Sequence, residues 1–314
     1  MSFAKTDLHL HLDGSLPVET ILTLAREQGI ALPAYTAEEL RPYCTVSPDC
    51  RSLADYLTRF ALPVSVLQTA HALYTATRAL LAQLAEEGMD YAELRFAPLQ
   101  HGQRGLPQAG AIDAVLHGVR DSRIPRAGVI LCMLTTADMD ANDATATLAA
   151  RYRGQGVCGL DLAGQECARP LSDFAPIFAQ AVENGVQITI HAGEACGADS
   201  VAAALDLGAR RIGHGTRAIE DPAVVRRLVE TGVTLEQCVT SNVQTHCVSS
   251  LAEHPIRRLF DAGVRIAICT DNRTVSGTTL AHEYDLLQRA LGFTDAECAT
   301  LAGYAQEAAF LPQK

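Results

Sequence analysis

The stretch Asp7-Leu8-His9-Leu10-His11-Leu12-Asp13-Gly14 places two histidines two residues apart at the end of an apolar run. If residues 5–12 form a β-strand, alternation sends the leucines to one face and Asp7, His9 and His11 to the other. Two imidazoles on one face can bind a single metal ion, but this spacing also suits polar residues on a half-solvated strand. The choice between these interpretations depends on ligands elsewhere in the chain.

The rest of the chain alternates predicted strands with predicted helices, and a glycine often stands where a helix turns into a strand. The predicted strands centre near residues 7, 93, 130, 159, 188, 212, 235 and 267. Because strands that alternate with helices pair in parallel, eight such units predict an α/β fold, a (β/α)8 TIM barrel. A doubly wound open sheet is the main alternative. No Gly-rich phosphate loop follows any predicted strand, which counts against the nucleotide-binding forms of that sheet.

Residues 30–69 interrupt this alternation. Prolines break the segment into short amphipathic pieces such as residues 52–60. Barrels of eight units commonly reach about 250 residues or more as one domain. We therefore interpret residues 1–314 as a single domain, with a helical lid insertion at about residues 30–69, after the first β/α unit.

The composition excludes several functional classes. Hydrophobic residues make up 48% of the chain and charged residues 19%, which indicates a globular, soluble protein. Nonspecific affinity for phosphates comes from clustered lysine and arginine. The net charge of -11 and the lack of a basic run therefore oppose a nucleic-acid partner.

The cysteines and the hydropathy pattern indicate the compartment. The ten cysteines include no C-x-x-C pair, so we interpret them as reduced thiols. The N-terminus shows no signal peptide, and no apolar run approaches the ~18 residues of a membrane span. We expect a cytoplasmic protein with no membrane partner, whose oligomeric state the sequence does not indicate.

Ionisable residues gather where predicted strands end. They are His9 and His11 after the first strand, His191 and Glu194 after the fifth, His214 after the sixth and Asp271 after the eighth. In a barrel these strand ends share the C-terminal face, where active sites lie. A single strand-end histidine is usually structural, whereas this set from several strands predicts a site.

The residue types indicate a zinc centre. Three imidazoles and one carboxylate suit Zn²⁺, whereas Mg²⁺ and Ca²⁺ favour carboxylate-only sets. The predicted ligands of one zinc ion are His9, His11, His191 and Asp271, with a water completing a five-coordinate site. Zinc lowers the pKa of bound water from about 15.7 to about 7, which makes hydroxide available near neutrality. Glu194 and His214 remain to transfer protons and to orient that hydroxide.

Six motifs follow one another along nearly the whole chain. They are His9-Leu10-His11-Leu12-Asp13-Gly14, Asp161-Leu162-Ala163-Gly164, His191-Ala192-Gly193-Glu194, Arg211-Ile212-Gly213-His214-Gly215, Thr240-Ser241-Asn242 and Thr270-Asp271. In this order they resemble the motif series of the adenosine deaminase family, in the amidohydrolase superfamily. Residues 91–98 also resemble the family's second strand, with Ala97 where serine is expected.

The resemblance implies a zinc-dependent hydrolase that acts on a C–N bond of a cyclic amidine. The expected reaction converts adenosine, or a closely related 6-aminopurine nucleoside, to the inosine-type product and ammonia. The resemblance implies the same four zinc ligands. It also implies that Glu194 protonates the purine N1, which makes C6 electrophilic, and that His214 and Asp271 orient the water and accept its proton.

The resemblance also implies the substrate contacts. The backbone N–H of Gly164 matches a donor to the purine N3, and Asp13 matches a contact to a ribose hydroxyl. The insertion would form an apolar lid from Leu53, Tyr56, Leu57 and Phe60, for which ordinary helix packing is the alternative.

Asn272 departs from the family pattern, because better-known members carry a second aspartate that hydrogen-bonds the purine N7. N7 is an acceptor, and an amide can donate to it at any pH, so we predict that Asn272 contacts N7. Arg273 either faces solvent, which we favour, or reaches an acidic substituent on the sugar.

Three alternatives stay open. The same chemistry could act on adenine, or on a 5′-substituted adenosine such as aminodeoxyfutalosine. Hydrolysis of a cyclic amide or ester is the second, although its binuclear form with a bridging lysine is excluded because no lysine lies between Lys5 and Lys314. The third is a catalytically inactive barrel that binds nucleosides. The zinc deaminases of nucleic-acid bases do not match, since their H-x-E and P-C-x-x-C motifs are missing.

Overall fold

The computed structural model describes residues 3–124 and 126–311. Each of the eight predicted strands is present. The strands are β1 (Thr6–His11), β2 (Tyr91–Phe96), β3 (Arg126–Leu134), β4 (Val157–Ala163), β5 (Thr189–Ala192), β6 (Arg211–His214), β7 (Thr234–Gln237) and β8 (Ile266–Ile268).

The strands form two parallel four-stranded sheets, in the orders β1-β2-β3-β4 and β5-β6-β7-β8. Isolated parallel bridges join these sheets at both junctions, Leu160 to Ile188 on one side and Leu10 to Asp271 on the other. The predicted α/β fold with a (β/α)8 TIM barrel is confirmed, and the open sheet is the wrong alternative.

The helices cover the outside of the strands and extend the C-terminal face. They are α1 (Val18–Gln28), α2 (Ala37–Cys44), α3 (Leu53–Leu57), α4 (Ala61–Val66), α5 (Ala70–Glu86), α6 (Gln108–Arg120), α7 (Met139–Tyr152), α8 (Ala175–Glu183), α9 (Ala198–Asp206), α10 (Pro222–Thr231), α11 (Val239–Gln244), α12 (Ile256–Asp261), α13 (Arg273–Ser276), α14 (Leu280–Ala290) and α15 (Asp295–Ala308). Short 3₁₀ helices occupy Thr58–Phe60, Pro98–His101, Leu171–Phe174, Thr216–Glu220 and Leu251–Glu253. In the described part of the chain, none of these helices combines the length and the hydropathy that a membrane span requires.

Local sequence signals explain where α1 begins and ends. Pro17 stands immediately before the first turn, where a missing N–H costs little. Gly29 adopts a φ of 64°, the left-handed conformation of a helix C-cap, and its N–H donates to the carbonyl of Arg26. Ile21 and Leu24 lie one turn apart and are fully buried against the barrel. Local sequence features therefore account for both ends of this helix.

The segment of residues 30–69 folds as α2, α3 and α4 with the 3₁₀ turn between the last two. It packs onto the chain that follows β8, since the N–H of Val46 donates to the carbonyl of Val275 at 2.8 Å. The hydroxyl of Tyr56, in α3, lies 2.7 Å from that of Ser276, in α13. The segment thus lies over the C-terminal ends of the strands.

The barrel interior carries a buried ionic network beneath those ends. Arg95 of β2 donates to Asp161 of β4 at 2.9 Å and to Glu236 of β7 at 2.8 Å. Arg211 of β6 donates to Glu236 at 2.6 Å and also pairs with Glu93 of β2. Each of these side chains is at most 1% exposed. Pairing and hydrogen bonding offset the cost of burying so many charges.

One cysteine pair differs from the prediction of reduced thiols. The loops that follow β4 and β5 meet, and Cys167 and Cys196, whose Cα atoms are 5.9 Å apart, form a disulfide. The other eight cysteines are free. The prediction was wrong for this pair because cysteines far apart in the sequence become neighbours only after the barrel has formed.

Candidate active site

The residues predicted to bind a metal come together at the C-terminal ends of the strands. His9 and His11 lie in β1, His191 lies in β5, and Asp271 follows β8. The backbone N–H of Asp271 donates to the carbonyl of His9 at 2.8 Å, which places Asp271 beside β1. Asp271 has a φ of 59° and the nearby His214 a φ of 60°. Such left-handed backbone costs about 1–3 kcal/mol at a non-glycine residue and is concentrated at functional sites.

The ligand atoms of these four residues form a tight cluster. The Nε2 atom of His11 lies 3.2 Å from Nε2 of His9 and 3.2 Å from Nε2 of His191. Oδ1 of Asp271 lies 3.4 Å from Nε2 of His9 and 3.4 Å from Nε2 of His11. Ligands about 2.0–2.1 Å from a tetrahedral zinc ion are themselves about 3.3 Å apart. These four distances, 3.2–3.4 Å, are therefore those expected between neighbouring ligands of one zinc ion.

The other ring nitrogens show which atoms are free to bind. Nδ1 of His9 donates to Oε2 of Glu236 at 2.8 Å, and Nδ1 of His191 donates to Asp161 at 3.0 Å. Because each Nδ1 carries the proton, the two Nε2 atoms carry lone pairs. Lone pairs held this close repel each other unless a cation lies between them. The protonation pattern thus supports a metal centre, and a His/Asp set is the donor chemistry that zinc prefers.

Gly213 makes room for the imidazoles. A Cβ atom at this position in β6 would lie 3.1 Å from Cε1 of His9 and 3.2 Å from Cα of His191. A side chain here would push the rings apart, which explains why glycine precedes His214.

Glu194 lies beside the cluster and is only 4% exposed. Its Oε1 atom is buried without a hydrogen-bond partner in the described part of the chain, and its Oε2 atom lies 3.6 Å from Nε2 of His214. Burial, followed by the charge of Asp271, raises the pKa of Glu194 to about 8. A carboxyl group with this pKa is protonated at neutral pH and can donate a proton.

A chain of hydrogen bonds determines where His214 carries its proton. The backbone N–H of Ile256 donates to Nδ1 of His254, so the Nε2–H of His254 donates to Oδ1 of Asn242 at 3.3 Å. Thr216 donates to the same Oδ1 at 3.0 Å. The amide nitrogen of Asn242 therefore faces His214 and donates to its Nδ1 at 3.0 Å. His214 consequently carries its proton on Nε2, and burial lowers its pKa well below the ordinary value, which keeps the ring neutral.

A cavity of about 240 Å³ opens above these groups. The predicted substrate contacts all line it, namely Asp13, Leu53, Tyr56, Leu57, Phe60, Gly164 and Asn272. Its volume lies just below the range typical of small-molecule sites. Among the described residues that line it, none is lysine or arginine.

Asp13 and Asn272 supply polar groups to this cavity. Asp13 is 4% exposed, and burial raises its pKa to about 6. Asn272 is 3% exposed, and its Oδ1 has no hydrogen-bond partner among the described residues. The Asn272 side chain passes over Gly14, where a Cβ atom would overlap it at 1.8 Å. Gly14 is therefore required for the position of Asn272.

Arg273 does not face solvent, and that prediction was wrong. The side chain is 7% exposed and forms an ion pair with Glu87 at the end of α5. It is also absent from the lining of the cavity, so it does not point toward a sugar substituent. Its partner Glu87 lies 186 residues away along the chain, so no local pattern indicated this burial.

The sequence interpretation missed several residues that support the site. Asp161 and Glu236 hold the histidines, Asn242 and His254 orient His214, and Glu166 binds the turn around Glu194. Asp161 and Asn242 lie within motifs quoted in the sequence analysis, where they were given no role. Glu236 carried a detectable signal, since an acidic residue in the middle of a barrel strand must find a partner inside the barrel.

A larger depression, of about 870 Å³, lies at the opposite end of the barrel near the starts of β5 to β8. The described residues that line it include no histidine, and two of its three arginines form ion pairs, Arg227 with Asp206 and Arg265 with Glu307. The N-terminal face of such barrels serves stability, so the chemistry belongs to the smaller cavity.

Comparisons with known proteins identify the family of this chain. A family model described as adenosine deaminase matches residues 4–314. The adenosine deaminase of Haemophilus ducreyi is 43% identical over 317 residues, covering 98% of this chain and 92% of that protein. The crystal structure of adenine deaminase from Arthrobacter aurescens has a TM-score of 0.86 at 30% identity, covering 98% of this chain and 94% of that one. The crystal structure of the Arabidopsis N6-mAMP deaminase has a TM-score of 0.87 at 29% identity, covering 98% and 94%.

Proposed function

Because the chain belongs to the adenosine deaminase family, we propose that it is a zinc-dependent hydrolase that converts adenosine to inosine and releases ammonia. The observation that carries this proposal is the cluster of imidazole lone pairs and one carboxylate beside a protonated Glu194, at the base of the cavity. An inactive binding protein would not need a proton donor beside a metal centre.

The ligands of the metal would be His9, His11, His191 and Asp271. When bound there, zinc would act as a Lewis acid and lower the pKa of a bound water to about 7. Glu236 accepts the proton of Nδ1 in His9, and Asp161 accepts that of Nδ1 in His191. Each ring is thereby held in the tautomer whose Nε2 is free to bind a metal.

Glu194 supplies the proton that activates the purine. Its buried carboxyl group faces the cavity with Oε1 unpaired, so it can donate to the purine N1. Protonation at N1 draws electron density from C6 and makes that carbon open to attack by water. The group must be protonated before the reaction, and its raised pKa provides that state at neutral pH.

His214 and Asp271 act on the attacking water. The Nε2–H of His214 orients the water by donating to its oxygen, since Asn242 occupies the other ring nitrogen. Asp271 accepts the proton that the water loses, through the carboxylate that Ser241 also contacts at 2.6 Å. Addition at C6 gives a tetrahedral carbon, and its collapse expels the amino group as ammonia, which takes its third proton from Asp271, while the new hydroxyl at C6 returns a proton to Glu194.

The cavity residues position the nucleoside. The backbone N–H of Gly164 would donate to N3, the amide of Asn272 to N7, and Asp13 would accept from a ribose hydroxyl. The side chains of the insertion, Leu53, Tyr56, Leu57 and Phe60, would form a lid that excludes water from the reacting atoms.

The polar and charged residues around the cavity favour a nucleoside over a nucleotide or a free base. A 5′-phosphate would find no lysine or arginine among the described lining residues, which argues against a nucleotide. Free adenine would leave the buried Asp13 without the hydroxyl that it is placed to bind. Adenine remains the second candidate because of the structural similarity to an adenine deaminase.

The test is a substrate panel combined with metal analysis. Ammonia release would be measured from adenosine, adenine, AMP and a 5′-substituted adenosine, and bound metals would be quantified in the same preparation. We expect the highest kcat/KM for adenosine and close to one zinc per chain. A preference for adenine, or full turnover without metal, would contradict the proposal.

A further inference from the structure

A single carboxylate binds the turn that carries Glu194. Glu166 lies in the loop after β4 and is 8% exposed. Its Oε1 accepts the N–H of Gly193 at 2.7 Å, and its Oε2 accepts those of Glu194 at 2.9 Å and Cys196 at 2.8 Å. Oε2 also accepts the N–H of Ala195. Four consecutive backbone donors thus converge on one side chain.

The backbone of this turn is shaped for an anion. Gly193 has a φ of 70°, a conformation that glycine adopts without cost, and it turns the following N–H groups to the same side. Such a concavity of successive N–H groups is a typical binding site for a negative charge. Here the anion is part of the protein, and the hydroxyl of Ser200 completes its shell by donating to Oε1 at 2.8 Å.

The alternative restraints on Glu194 are weak. Its Oε1 has no hydrogen-bond partner in the described part of the chain, and its Oε2 lies 3.6 Å from His214, beyond normal hydrogen-bond distance. Apart from a side-chain contact with Thr245, the direction of the Glu194 side chain is therefore set by its backbone, which Glu166 binds directly at its N–H.

We propose that Glu166 is a positioning residue for the reaction, which holds the turn of residues 193–196 so that the Glu194 carboxyl group points at the substrate. This inference rests on the proposed role of Glu194 as the proton donor. Glu166 does not line the cavity, so it acts through Glu194 and makes no contact with the substrate.

A double-mutant cycle tests the inference. Glu166→Gln keeps the size of the side chain but turns an NH2 group toward backbone donors, so the turn loses acceptors. We expect this substitution to lower kcat by about 30-fold or more in the wild-type background with KM within about threefold. In the Glu194→Gln background we expect a further loss of less than about threefold, because residues that act as a unit are not additive.

Further measurements separate positioning from general damage. Hydrogen exchange in peptides that span residues 193–196 should become at least about tenfold faster in Glu166→Gln, while zinc content stays unchanged. Glu166→Asp keeps the charge and should retain more activity than Glu166→Gln. If Glu166→Gln does not fold, Glu166→Asp takes its place in the double-mutant cycle. Asp221→Ala removes a carboxylate that accepts the N–H of Ala223 outside the site and should leave kcat unchanged.

An equal loss of kcat in both backgrounds, or unchanged exchange at residues 193–196, would overturn the inference while leaving the proposed function intact. Full activity of Glu194→Gln alone would overturn the proposed function, and the inference with it.

Discussion

His9 and Asp271 are joined twice, once through the backbone and once through their side chains. The N–H of Asp271 donates to the carbonyl of His9 at 2.8 Å, and Oδ1 of Asp271 lies 3.4 Å from Nε2 of His9. The first contact joins the chain after β8 to β1, and the second brings together two atoms that we propose as metal ligands. Closure of the barrel and formation of the proposed metal centre therefore depend on the same pair of residues.

This coupling predicts that metal removal affects stability as well as activity. A ligand that binds only the folded state at about 100 times its Kd stabilises that state by about 2.7 kcal/mol. We expect chelation to abolish ammonia release and to lower Tm by about 4 °C, a change that calorimetry detects. Added zinc should restore both properties. A chelated, metal-free protein with unchanged Tm would show that the ligands are not coupled to the fold.

Glu194→Gln should lower kcat by about 10²–10⁴-fold, since it removes the proton donor but keeps the size of the side chain. Steady-state kinetics with adenosine measures this loss, and zinc content should stay the same. Glu183→Gln, at the exposed end of α8, is the matched control and should have wild-type kinetics. Comparable activity of the two variants would exclude Glu194 as the donor.

The raised pKa of Glu194, about 8, predicts the pH dependence. The reaction needs the protonated carboxyl group, so kcat/KM should fall as the pH rises through about 8 and Glu194 loses its proton. Because the folded pKa lies above the ordinary value of 4.5, this group stabilises the fold at low pH and loses that effect as the pH rises. A pH–rate profile measures the first effect, and the alkaline limb should be missing from the residual activity of Glu194→Gln. If the fall in activity at alkaline pH persists in Glu194→Gln, another titrating group causes it.

His254→Phe should lower kcat by about 10–100-fold with little change in KM. It removes one of the two donors that orient Asn242 in the described part of the chain and leaves only Thr216, so the amide is held less firmly and the tautomer of His214 is less well fixed. The exposed His282 in α14 offers a control, and His282→Phe should have no effect. Kinetics of both variants, with circular dichroism to verify folding, measure the difference. Unchanged kcat in His254→Phe would show that His214 keeps its tautomer without the hydrogen bond from His254 to Asn242.

Asn272→Ala should lower kcat/KM for adenosine by about 10-fold or more, because the purine N7 would lose its donor. The same substitution should have a smaller effect on 7-deazaadenosine, which lacks the N7 acceptor. Parallel kinetics with the two nucleosides measures that contrast. If both nucleosides lose activity equally, or if neither does, Asn272 does not bind N7.

Much of this molecule was predictable because its signals are local. The regular change between predicted strands and helices indicated where each strand lies, and Gly29 ends α1 in a left-handed conformation that glycine adopts without strain. The motif His9-Leu10-His11 and the ionisable residues at other strand ends predicted which groups would meet, because parallel strands in a barrel present their C-terminal ends on one face.

The tertiary structure alone decided what depends on distant neighbours. The partners of the histidines, Glu236 and Asp161, come from other strands, and the burial of Arg273 and the pairing of Cys167 with Cys196 follow from loops that meet only in space. Hydrogen bonds and pKa values depend on distances of a few ångströms, which no spacing along the chain encodes. The sequence by itself therefore determined the strand order and the donor set, whereas packing decided tautomers, the protonation of Glu194 and the turn that Glu166 holds.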